Sequence, residues 1–100
     1  MRYDKLVRDK IIERMSAKGV PSASHVADEE EYWQKLKAKL AEEVGEFRRD
    51  ENIEELADIL EVIDAIIEHK GFDRAELQRI KAEKAEERGG FKKRIILEEA

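Results

Sequence analysis

The sequence predicts an all-α protein, a small bundle of about four helices followed by a short extended C-terminal tail. Three observations lead there. Charged residues make up 45% of the chain and aromatics 6%, so any core must be aliphatic. Glu, Lys, Ala, Leu and Ile are in excess, a composition that favours helix. Through the middle of the chain, apolar residues recur at three- and four-residue steps. One hundred residues make a single domain, 1–100, near the lower limit for a self-sufficient core.

The elements follow in order. Residues 4–18 are predicted as a first helix, with Leu6, Ile11, Ile12 and Met15 as its apolar positions and Gly19 as its stop. The stretch GVPSASHV, 19–26, breaks helix through its Gly, Pro and Ser and reads as a loop. Asp28, with Glu31 three residues on, caps a second helix whose stripe is Trp33, Leu36, Leu40, Val44 and Phe47. RRDEN, 48–52, ends it, and Asn52 caps a third helix that runs to about His69 and stops at Gly71. Asp73, with Glu76, caps a fourth that runs to about Arg88, before Gly89 and Gly90. FKKRIIL, 91–97, has β-like character and is predicted as an extended tail or a strand.

The third helix is apolar on two sides. Ile53, Leu56, Leu60, Ile63 and Ile67 form one stripe, and Ile59, Val62 and Ile66 form another roughly 80° away. One small bundle does not easily cover both, so the pattern predicts a homodimer or homotetramer. A monomer in which this is simply the central helix is the plainer alternative.

Acidic residues interrupt these stripes. The second helix carries EEVGEF, 42–47, with Glu42, Glu43 and Glu46 beside the apolar face, and the third carries Glu55 and Asp58. Carboxylates three residues apart on a helix are neighbours, with Cβ atoms about 5–6 Å apart. Helices joined by a connection as short as RRDEN pack antiparallel, which lets the two pairs face each other. Desolvated carboxylates repel one another unless some protonate or a cation intervenes. An all-oxygen site suits Mg²⁺, with Mn²⁺ as the alternative, and open positions on the ion can be taken by phosphates. The competing reading is a solvated acidic flank, with Glu55 serving as the capping-box partner of Asn52 and Glu42 at the rim.

Composition narrows the remaining classes. There is no cysteine, hence no disulfide and no thiolate metal site. No apolar run reaches the length of a membrane span, and MRYDKLVRDK lacks a signal-peptide core, so the expectation is a cytoplasmic protein. A net charge of −5 disfavours nucleic acid as a partner. Glu-x-x-His is absent, against a ferritin-like di-iron bundle. Lys84 and Arg88 lie four apart on one helical face and can reach one polyphosphate, or can be an ordinary basic helix terminus. Gly45 inside a helix suggests close approach by another helix or a ligand. Trp33 belongs with the core, and His25 and His69 lack ligand-like spacing and read as surface residues.

At four blocks the chain resembles the MazG-type all-α nucleotide pyrophosphohydrolases, close to the phosphoribosyl-ATP pyrophosphohydrolase branch. The blocks are YDKLVRDKI (3–11), KLAEEVGEF (39–47), EELADILEVI (54–63) and AEKAEERGGFKKRIIL (82–97), in order along nearly the whole chain. The resemblance implies a tight helical dimer that hydrolyses a nucleoside triphosphate or related nucleotide between the α and β phosphates. It implies Glu43, Glu46, Glu55 and Asp58 as Mg²⁺ ligands, Glu42 as the accompanying acid, and Glu43 or Glu46 as the group that orients water. Lys84 and Arg88 match its phosphate-binding basic positions, and Arg8 and Lys10 fall in a matching block whose role is less defined. The eight residues between Glu46 and Glu55 make a gap shorter than in many relatives, which leaves less loop for a nucleobase pocket. A catalytically silent helical dimer that binds nucleotide or a protein partner is the alternative from a different class.

Overall fold

The computed structural model describes residues 3–100, which form four helices and, among these residues, no strand. They are α1 (Ile11–Ala17), α2 (Glu29–Asp50), α3 (Ile53–Lys70) and α4 (Arg74–Arg88). The expected all-α class holds. None of these helices is long and apolar enough to cross a membrane.

Local chemistry sets the boundaries. The Asp28 carboxylate accepts the backbone N–H of Glu31, and Asn52 accepts that of Glu55, closing the first turns of α2 and α3. Between these two helices only Glu51 and Asn52 are non-helical, with Glu51 in the left-handed region at φ 50°. Gly71, at φ 68°, ends α3 in the conformation that glycine adopts without a Cβ clash. Asp73 caps α4 through the N–H of Ala75 rather than that of Glu76.

The first helix is shorter than the predicted 4–18. Residues 3–10 run as an irregular strap, with Asp4 left-handed at φ 46°, and helix begins only at Ile11. Side-chain bonds explain the difference. Lys35 Nζ donates to the Asp4 carbonyl at 2.6 Å, Lys5 pairs with Glu42 and Arg8 pairs with Asp58, so the segment spends its polar groups on α2 and α3. FKKRIIL is likewise no strand. It makes one turn, closed from the Arg94 N–H to the Phe91 carbonyl, and then an exposed extended tail.

The core lies between α2 and α3, the only helices with an extensive mutual interface. Leu36 of α2 and Val62 and Ile67 of α3 are its buried apolar side chains, Leu36 the most completely. Trp33 stacks on His69 while Glu43 meets Asp58, so the pair is antiparallel, as the short connection predicted. Ile59, Val62 and Ile66 therefore face α2. The other stripe of α3 is open at its start, with Ile53 77%, Leu56 46% and Leu60 61% exposed. Every residue from Gly71 to Ala100 is exposed. The radius of gyration, 17.9 Å, exceeds the roughly 13 Å of a compact chain this long.

Candidate metal centre

Two turns beyond Leu36, α2 brings Glu43 to the face that packs on α3, and the side chain is 6% exposed. On α3, Glu55 sits in the first turn and Asp58 one turn later, both half-buried. Oxygens from Glu43, Glu55 and Asp58 lie within 4.8 Å of one another. Glu46 lies outside that triplet, but is half-buried and close enough for its charge to act on both Glu43 and Glu55.

The two halves of each carboxylate differ. Glu43 Oε1 sits 3.2 Å from Lys39 Nζ, whereas Glu43 Oε2 is shielded from solvent and has no hydrogen-bond partner. Glu55 Oε2 is in the same condition. The capping box at Asn52 is only half made, because no hydrogen bond returns from the Asn52 N–H to Glu55. Glu55 is thus turned towards the other acids instead of its own helix terminus. An oxygen held away from water without a donor costs on the order of 1–3 kcal/mol, more when charged.

The electrostatics sort the acids into two classes. Burial pushes the Glu43 carboxyl above its ordinary range, and Glu46 and Asp58 push the same way against the opposing effect of Lys39. Desolvation, then Glu46, Asp58 and Asp50, raise Glu55. Burial would also raise Glu42, but Lys5 at 3.1 Å and Lys39 at 3.4 Å overcome it and hold that carboxyl low. Glu42 is thus a satisfied rim acid. Glu43 and Glu55 are acids short of positive charge, and an all-oxygen triplet of this kind fits a hard divalent cation.

The predicted basic residues are distributed unevenly. Arg8 donates to Asp58 at 2.7 Å. Lys10 immediately precedes α1 and is exposed. Lys84 and Arg88 are exposed on α4, which packs extensively on neither α2 nor α3, and no ion pair joins them to the acids. Asp64 pairs with Arg74 at 2.9 Å, so it is engaged away from the triplet. Gly45 is exposed with open space where a Cβ would stand, so no close approach within the chain explains it.

Lys39 and His69 carry more than the sequence reading assigned to them. Lys39 joins Glu42 to Glu43, and its i, i+4 spacing to Glu43 was the available signal. His69 is no free surface residue. It stacks on Trp33 at 5.7 Å and meets the Tyr32 ring edge-on at 5.1 Å, with Lys70 and Lys37 over the Trp33 ring. His25 pairs with Glu31 at 2.9 Å.

No family model, curated protein sequence or solved structure matches the chain.

Proposed function

We propose that the chain is a Mg²⁺-dependent nucleotide pyrophosphohydrolase that cleaves a nucleoside triphosphate or related nucleotide between the α and β phosphates, with Mn²⁺ as a substitute ion. The products are a monophosphate and pyrophosphate, a chemistry suited to clearing surplus or non-standard nucleotides. One observation carries the reading: Glu43 Oε2 and Glu55 Oε2 are shielded and unpartnered beside Asp58. Their chemistry fits the group, since a divalent ion would supply the positive charge that these two oxygens lack. Glu43, Glu55 and Asp58 would hold it, with Glu46 alongside.

When bound, such an ion neutralises charge developing on phosphate oxygens. The chain's residues do the rest. Glu43 or Glu46 orients a water towards the scissile phosphorus. Lys39 fixes one Glu43 oxygen so that the other is presented to the site. Arg8, Lys10, Lys84 and Arg88 supply cations for the phosphates, the last two from a helix that must first dock. The open stripe of α3 and the exposed α4 support a homodimer or homotetramer in which a second copy completes that docking.

The test is pyrophosphate release by the pure protein from a panel of triphosphates with Mg²⁺. Release is expected, with a loss of at least 100-fold in Glu43→Gln, the scale of removing one group that acts only in the transition state. Release undiminished by Glu43→Gln, or none from any substrate, would overturn the reading. Nucleotide binding in a calorimeter without product would select the silent binding module instead.

A further inference from the structure

The strap ahead of α1 is fastened in an unusual way. Of its apolar residues only Leu6 is half-buried; Tyr3 is 68% and Val7 36% exposed. A groove of about 60 Å³ runs between Leu6 and Ala38, so the strap does not pack closely on α2. What ties it down is polar. Lys35 Nζ donates to the Asp4 carbonyl, Lys5 meets Glu42 and Arg8 meets Asp58. The last bond ends on one of the three carboxylates of the proposed ion site.

We infer that the strap is a cation-sensitive latch: Arg8 and a divalent ion compete for Asp58, and when Asp58 turns to the ion, Arg8 and the strap are released. The inference rests on the proposed ion site and adds to it a resident competitor and a moving part. The chemistry is direct. The Arg8 guanidinium, 2.7 Å from Asp58 Oδ1, already offsets part of the negative charge that would attract a divalent ion, and the two cations repel each other across the same carboxylate. The exchange is easy, since the Arg8 and Asp58 side chains are 56% and 38% exposed and such pairs hold weakly. Glu42 keeps Lys5 and the Asp4 carbonyl keeps Lys35, so the start of the strap stays held on α2 while its Arg8 end is released. The freed guanidinium carries five donors and no acceptor, which suits it to an anion held by the ion. Arg8 therefore reports whether the site is loaded.

The experiment titrates Mn²⁺ alone, without nucleotide, into the full chain and follows binding by calorimetry and release of the strap by cleavage after Lys10 with a lysine-specific protease. Arg8→Gln removes the competitor. Arg14→Gln, at an exposed cation with no ion pair, controls for the change in net charge. Relative to Arg14→Gln, Arg8→Gln is expected to bind Mn²⁺ roughly two- to fivefold more tightly, the range that an exposed pair is worth. In the wild type, saturating Mn²⁺ is expected to speed that cleavage, and in Arg8→Gln cleavage is fast from the start. Equal or weaker binding by Arg8→Gln overturns the latch and leaves the ion site standing. Tighter binding with cleavage unchanged by Mn²⁺ also overturns it, by making Arg8 a competitor with no moving part. No Mn²⁺ binding to any of the three proteins overturns the ion site itself, and the latch with it.

Discussion

The α2–α3 pair and the α4–tail half are built from similar residues and reach different ends. In the pair, apolar side chains at helical spacing find each other, and Leu36, Val62 and Ile67 are buried. Beyond Gly71, the fourth helix and tail carry Leu77, Ile80, Phe91, Ile95, Ile96 and Leu97, and all remain exposed. Amphipathic pattern alone therefore does not make a core; a matching surface must be within reach. The two-residue connection at Glu51 and Asn52 forces α2 and α3 together, whereas α4 is held by a capping Asp73 and one exposed pair between Arg74 and Asp64.

The largest test of that contrast is a truncation on each side. Leu36→Ala, at a side chain 1% exposed, is expected to cost about 2–5 kcal/mol in urea unfolding followed by circular dichroism. Leu97→Ala, at 78% exposed, is expected to change it by under about 0.5 kcal/mol when the protein is dilute. A Leu97→Ala loss that grows with protein concentration would show the tail buried against a second copy.

Leu60 sharpens the contrast inside α3 itself, where one stripe is covered and the other is open over Ile53, Leu56 and Leu60. If a second copy covers the open stripe, Leu60→Glu removes about 1.5–3 kcal/mol of burial and weakens association by more than about tenfold in sedimentation equilibrium. The same substitution leaves the unfolding of the separated chain nearly unchanged, since Leu60 is 61% exposed there.

The next effect is smaller and changes sign with the ion. Glu43 and Glu55 are raised above their ordinary value of 4.5, so the folded chain binds protons more readily than the unfolded chain. Metal-free stability must then fall as pH rises from 4.5 through those raised values, while the lowered Glu42 contributes stability that is lost as pH falls through its own folded value. Glu43→Gln removes one of the two destabilising charges. It is expected to be more stable than wild type by about 0.5–2 kcal/mol at neutral pH in chelator, with the difference vanishing below pH 4.5. Saturating Mg²⁺ reverses the order, because only the wild type gains from ion binding. Thermal melts in chelator and in Mg²⁺ read both signs.

Much of this was legible in the sequence, and the losses have physical causes. Asp28, Asn52 and Gly71 mark helix ends by local hydrogen bonding and backbone freedom, so the starts of α2 and α3 and the end of α3 could be read directly, whereas α2 continues to Asp50, into the RRDEN read as its end. Convergence of Glu43, Glu55 and Asp58 followed from i, i+3 spacing and a short connection. The strap was not legible. Its residues have good helix propensity, and only the distant partners Lys35, Glu42 and Asp58 draw residues 3–10 out of a helix. His69 was misread for a similar reason, since its partners Tyr32 and Trp33 lie at the far end of α2 in sequence. Non-local pairs decide these places, and periodicity does not record them.

The smallest test uses the helix caps, where the same chemistry sits in both halves of the molecule. Asn52 and Asp73 each accept one backbone N–H at the start of a helix, at 3.0 and 2.9 Å. Replacing such a cap with Ala costs about 1 kcal/mol of helix stability. For Asn52 that helix is part of the cooperative core, so Asn52→Ala is expected to lower the melting midpoint by about 4–8 °C. For Asp73 the helix has no extensive packing partner among the described residues, so the same loss is local fraying. Asp73→Ala should then lose helical signal at 222 nm before the transition while leaving the midpoint within about 1 °C of wild type. An equal fall in both midpoints would mean that α4 melts together with α2 and α3. Because α4 has no extensive interface with α2 or α3, a second copy is the surface that would give that result, and dilution would then abolish it.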